Sequence, residues 1–139
     1  IGMTITSGLA VTAYLARLEA EEQRRIAEIE AETARQTTEF MVGLFELACI
    51  RAVNPHIDWP RQQTVGIRID VTHTAPTPPG LTVTVKGTLE KVEGRKLWFS
   101  LEAHDGVDSI SKGTHERFII DAEKFNAHVA GKAETGPSA

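Results

Sequence analysis

A single cysteine, Cys49, leaves this chain without the means to close an internal disulfide. No apolar run approaches the roughly 20 residues needed to cross a bilayer, so a membrane-spanning role is set aside. The N-terminal residues lack both the basic stretch and the long apolar stretch of an export signal. Together these absences lead to the expectation of a soluble, cytoplasmic protein. Strong charge of one sign is also missing: 15 basic residues stand against 19 acidic ones, a formal charge of -4. No basic run is longer than Arg24-Arg25 or Arg95-Lys96, which excludes the basic patch that nucleic-acid binding requires. There is no internal repeat. What remains is an ordinary globular composition, 41% apolar over 139 residues, suited to one domain.

Three zones follow one another. Residues 8 to 36 are rich in Ala, Glu and Arg and contain neither Gly nor Pro after Gly8, which favours helix. Their apolar stripe (Leu15, Leu18, Ile26, Ile29) is thin, and Glu22 and Arg25 interrupt a heptad seam. A solvated helix docked on a partner is therefore expected, with Glu21 and Arg25 pairing at i,i+4. The second zone, Thr38 to Val53, reads as an apolar helix ended by Asn54-Pro55, with Thr37 or Thr38 as N-cap. Apolar on nearly every side, it is expected to be enclosed by the rest of the fold. The third zone reads as antiparallel strands: Thr64 to Thr74, Leu81 to Leu89, Lys96 to His104, and Ser109 to Ile120. Four strands wrapped around one buried helix make an α+β domain. Residues from about Ala130 read as a frayed terminus.

Two ionisable groups stand out against this frame. Glu46 is a high-charge group on the apolar helix. In the first strand, odd-numbered alternation places Val65, Ile67, Ile69 and Val71 inward and ends with His73 pointing the same way, just before the stiff loop Ala75-Pro-Thr-Pro-Pro-Gly80. Helix packed on strand would bring carboxylate and imidazole into one mostly dry space, the composition of a general acid/base pair. The plainer reading of Glu46 is a buried carboxylate hydrogen-bonded to backbone; of His73, a satisfied core histidine; of Gly66, a bulge or a close backbone crossing. Cys49, in an apolar helix, reads as packing and not as a nucleophile. His104, Asp105 and His115 lack the spacing of a metal triad and read as a solvated hairpin, so no metal is expected.

Four segments carry a resemblance: Phe40-Met-Val-Gly-Leu-Phe-Glu-Leu-Ala-Cys-Ile-Arg51, Val71-Thr-His-Thr-Ala-Pro-Thr-Pro-Pro-Gly80, Ala103-His-Asp-Gly106 and Gly113-Thr-His-Glu-Arg117. With the sequence around them, over roughly residues 38 to 130, they resemble the fluoroacetyl-CoA thioesterase family. The resemblance implies a hotdog fold, an antiparallel sheet wrapped around a central helix, here with an atypical N-terminal helical segment. The expected organisation is a helical extension over 1–37, a thioesterase-like domain over 38–130 and a flexible tail over 131–139. It further implies hydrolysis of short acyl-CoA thioesters by a homodimer with its site at the subunit boundary, and no cofactor beyond the coenzyme A of the substrate. The catalytic positions it implies are Thr38, Glu46 and His73, with Gly66 and Arg117 as substrate-binding positions. Thr38 precedes Glu46 by eight residues, about two helical turns, so one helix face can carry both. The family's first strand and its lid carrying an aromatic residue have no evident counterpart; Met3 to Ser7 or Ala10 to Leu15 are the only pieces able to supply that strand. The competing expectations are a non-catalytic acyl-CoA sensor using the N-terminal helix to recruit a partner, and a hotdog hydratase, for which the expected close Asp and His motif is absent.

Overall fold

In the computed structural model, which describes residues 8–137, one helix, α1, runs without interruption over Gly8–Val53. The two expected helices are thus one. Neither Thr37 nor Thr38 caps anything: each lies in the helix interior and donates its hydroxyl to the carbonyl four residues back, Thr33 and Ala34 respectively. Nothing in the sequence between residues 36 and 38 breaks a helix, and a threonine whose hydroxyl bonds to i−4 continues one. Ala10 to Leu15 is helical and supplies no strand. Met3 to Ser7 lies outside the described residues.

The chain divides into a unit through Glu39 and a unit from Phe40. In the first, the helical residues are solvent-facing and laced by exposed ion pairs, Arg17–Glu21, Arg25–Glu22 and Arg35–Glu32. The expected Glu21–Arg25 pair is replaced by the first two of these. At such exposure pairs of this kind add little to stability.

In the second unit, α1 ends at Val53, a 3-10 turn follows at Asn54–His56, and four strands come next: β1 (Gln62–His73), β2 (Thr84–Glu93), β3 (Lys96–His104) and β4 (Ser109–Asp121). They form one antiparallel sheet in the order β1-β4-β3-β2. Helix α2, Ala122–Thr135, closes the described chain. Asp121 caps it by accepting from the Lys124 amide, with Glu123 in the first turn favourable to the dipole. The tail expected from residue 131 is therefore helical through Thr135.

The core is a seam between α1 and the sheet. Met41, Phe45, Cys49 and Val53, spaced by four on one helix face, bury against Leu97, Phe99, Leu101 and Ala103 of β3 and against Ile110. Gly87 of β2 permits the approach, since a Cβ there would stand 2.7 Å from the Cys49 Sγ. Among the described residues nothing encloses the opposite helix face: Phe40 is 64% and Leu47 42% exposed. The sheet is one layer and lies on one side of the helix only, so the described residues of one chain do not cover the helix all round as the sequence led one to expect.

Alternation along β1 breaks at a bulge between Gly66 and Arg68. Beyond it, Ile69 pairs with His115, Val71 with Gly113 and His73 with Ser111, in the register of the inner face, as expected. Before it, the parity changes. Thr64 and Gly66, opposite Ile119 and Arg117, take the inner register, and Ile67 is 51% exposed. The extra residue at the bulge shifts every side chain upstream of it to the other face.

Candidate active site

Gly66 is the meeting point of the site. A Cβ built on it would stand 3.1 Å from Glu46 Oε1, 3.1 Å from His115 Cε1 and 3.4 Å from Arg117 Nη1. Helix α1 delivers the carboxylate, β4 delivers the imidazole and guanidinium from alternate positions on its inner face, and β1 passes beside them with a residue that has no side chain. Glu46 is half-buried, and Gly66 is open to solvent, so the point where they meet can be reached.

Arg117 is 2% exposed and held on three sides. Its Nε donates to Thr64 Oγ1 at 2.9 Å, its Nη2 to the Thr64 carbonyl at 2.7 Å, and its Nη1 lies 3.0 Å from His115 Nε2. Burial lowers the guanidinium pKa, and the nearby Glu46 carboxylate opposes that shift. Arginine stays charged under any ordinary condition. A fixed buried cation therefore faces a carboxylate that, among the described residues, forms no ion pair and accepts no hydrogen bond. A buried carboxylate bonded to backbone, the plain reading of Glu46, is not what is found. The two charges border the same small space without closing it.

His73 is placed elsewhere. It is exposed at the end of β1 and pairs with Ser111, six β4 residues from the Arg117 level. At ~3.3 Å per residue this puts it about 20 Å along the sheet from Gly66. Within one chain Glu46 and His73 do not share a cavity. Thr38, in the unit through Glu39, is exposed with its hydroxyl given to Ala34. Of the five residues singled out from the sequence, one chain brings Glu46, Gly66 and Arg117 together.

Two further findings correct the sequence reading of the strand-end residues. Asp105 is buried and not solvated: it accepts from the Val107 and Asp108 amides and from Thr77, tying the proline loop to the β3–β4 turn. Those backbone amides hold its pKa below the usual carboxylate range. His115, 1% exposed, belongs to the site and to no hairpin. Period-two counting back from Ile119 through Arg117 would have placed it inward. Cys49 is buried as expected, and burial pushes its thiol up to about 11, which suits packing and not nucleophilic attack.

Residues 21–123 match the family model described as fluoroacetyl-CoA-specific thioesterase. A fluoroacetyl-CoA thioesterase of Streptantibioticus cattleyicolor is 57% identical over 99 residues, 71% of this chain and 70% of that one. A crystal structure of a point mutant of the fluoroacetyl-CoA-specific thioesterase FlK, in complex with fluoroacetate and CoA, superposes with a TM-score of 0.65 at 55% identity, covering 72% of this chain and 75% of that one. A hot-dog-like protein from Thermanaerovibrio acidaminovorans, 21% identical, superposes with a TM-score of 0.62 over 71% of this chain and 70% of its own. The α+β arrangement of long helix and antiparallel sheet is thus the hotdog fold.

Proposed function

Because the chain belongs to the FlK family of fluoroacetyl-CoA-specific thioesterases, we propose that it hydrolyses short-chain acyl-CoA thioesters, fluoroacetyl-CoA or related small acyl groups, with Thr38, Glu46 and His73 as its catalytic residues. The observation that carries this reading is the unpartnered Glu46 carboxylate at the Gly66 gap, faced by the immobilised cation of Arg117. Gly66 and Arg117 receive the acyl group. A thioester carbonyl seated in the gap is attacked either by Glu46, giving an acyl-glutamate anhydride that water then cleaves to free acid and carboxylate, or by a water that Glu46 deprotonates. The positive charge of Arg117 favours the oxyanion that develops. As the C–S bond breaks, the sulfur leaves as a thiolate and takes up a proton, which His73 supplies, while the Thr38 hydroxyl assists. Water is the only co-reactant; the products are the free acid and CoA, and no cofactor or metal takes part.

A homodimer reconciles this chemistry with the 20 Å between His73 and Gly66. The outer edge of β1 has no partner strand among the described residues, since β1 pairs only with β4. A two-fold antiparallel contact of β1 with a second β1, centred on Asp70 and with the extra residue Ile67 absorbed at the bulge, sets the partner subunit's His73 opposite Gly66, one inter-strand spacing of ~4.8 Å away. The bare Phe40 and Leu47 on α1 and the open, half-apolar strand edge support a second copy. A cytoplasmic location fits the sequence, and among the described residues no helix is long and apolar enough to cross a membrane.

The test is thiol release from acetyl-CoA, fluoroacetyl-CoA and a few longer acyl-CoAs. Saturable turnover is expected, with kcat for Glu46→Gln lower by at least ~100-fold. Near-full turnover by that variant removes Glu46 from the mechanism, and saturable binding without thiol release replaces the enzyme by an acyl-CoA sensor.

A further inference from the structure

His115 is the most deeply buried titratable group beside the gap, and no catalytic step uses it. Its environment fixes its chemistry. An arginine Nη only donates, so at 3.0 Å from Arg117 Nη1 the His115 Nε2 must be a lone-pair acceptor. The ring proton then resides on Nδ1, which donates to the Arg68 carbonyl at 2.8 Å, at the edge of the bulge in β1. One tautomer satisfies both contacts, whereas a cationic ring keeps the bond to Arg68 and turns an N–H against Arg117 Nη1. Phe99 of β3 closes over the ring with centroids 6.5 Å apart. Of the five guanidinium N–H groups, one on Nε and one on Nη2 go to Thr64. Among the described residues only His115 pins the Nη1 corner, and Nη1 is the atom that borders the space between Gly66 and Glu46.

We infer that His115 is a positioning residue for this site: as the neutral Nδ1–H tautomer, anchored on the β1 bulge, it holds Arg117 Nη1 at the Gly66 gap. The inference rests on the reading of Arg117 as the acyl-group ligand and deepens it. The bulge at Gly66/Arg68 then has a second use. Besides turning Gly66 inward, it presents the carbonyl that orients the histidine that orients the arginine.

Two variants separate positioning from mere packing. In His115→Gln, the side-chain oxygen reaches the place of Nε2 and still accepts from Arg117. In His115→Asn, the shorter amide reaches only the place of Nδ1, keeping the bond to Arg68 and abandoning Arg117. Each loses one hydrogen bond and some ring volume, so their melting temperatures should fall by similar amounts. Their kinetics should differ: kcat for His115→Asn falls at least about tenfold below that for His115→Gln, because the bond it lacks is to a charged group. Equal kcat losses in the two variants overturn the positioning role. A second measurement needs no variant and no substrate: long-range 1H–15N correlation of the wild-type chain at neutral pH. It should report a neutral Nδ1–H ring for His115, and an Nε2–H or doubly protonated ring overturns the inference whatever the kinetics. A wild-type chain that hydrolyses no acyl-CoA overturns the thioesterase reading itself, and that failure shows in the unmutated protein before any variant is compared.

Discussion

Replacing Gly66 with alanine should leave the fold nearly intact and disable the site. The added methyl meets Glu46 Oε1 and His115 Cε1 at 3.1 Å and Arg117 Nη1 at 3.4 Å, so each neighbour must yield by only a few tenths of an ångström. The glutamate can do so, being the far end of a flexible side chain; the histidine and arginine, each fixed by hydrogen bonds, yield less. Gly66 is not among the glycines with positive φ, so its backbone accommodates alanine, and the loss of unfolded-state freedom contributes ~0.4–1 kcal/mol of stability. Overpacking costs ~1–3 kcal/mol in general, and the modest overlaps place this case at the low end. The two nearly offset, leaving a net destabilisation of about 1 kcal/mol or less and a Tm within ~5 °C of wild type. Activity has no such offset, because the methyl occupies the space between carboxylate and guanidinium where the thioester carbonyl must sit. A displacement of ~1 Å there lowers kcat/KM by up to ~100-fold. Thiol release followed with a chromogenic disulfide, beside a thermal melt, measures both. A Gly66→Ala chain with kcat/KM within threefold of wild type would refute the placement of the substrate. A Tm loss beyond 10 °C, on the other hand, would mean that the methyl disturbs the core and that the gap is not free space.

Two other outcomes follow from the packing and the charges. Gly87→Ala places a Cβ 2.7 Å from Cys49 Sγ and should destabilise by ~1–3 kcal/mol. Adding Cys49→Ala should recover part of that loss in a double-mutant cycle of urea unfolding, and strict additivity would show that helix and sheet do not touch there. The pH dependence of stability should carry the mark of His115. Burial first, then the Arg117 charge, hold its pKa below the ordinary 6.5, against the bond to Arg68 and the Glu46 carboxylate. The folded state therefore binds fewer protons than the unfolded one below about pH 6.5, so the contribution is complete above that value and declines as pH falls toward the depressed folded pKa. The groups facing the ring are Glu46 from α1, Arg117 from β4, the Arg68 carbonyl from β1 and Phe99 from β3. Between pH 7.5 and 5.5 the urea midpoint should fall more steeply for wild type than for His115→Gln; parallel declines would refute the assignment.

The sequence by itself determined the strands, because alternation with period two and the punctuating glycines and prolines are local facts that the pleat converts directly into faces. It also determined the family, since the segments around Glu46, His73 and Arg117 carry the match, and it placed Glu46 on a helix whose buried stripe repeats every four residues. Where one helix ends and another begins was not legible around Thr38: a threonine caps or continues a helix according to what precedes it, and here its hydroxyl turns back to Ala34. Nor was the parity of β1 before Arg68, because a bulge adds one residue without any compulsory sequence mark and moves Thr64 and Gly66 to the inner register that Val65 and Ile67 were expected to hold. Only the tertiary structure decided that Arg117 and His115 are buried against Gly66. Their burial depends on hydrogen bonds to Thr64 and Arg68, some fifty residues away in the chain, and such partners are chosen by strand order and register and not by any local pattern.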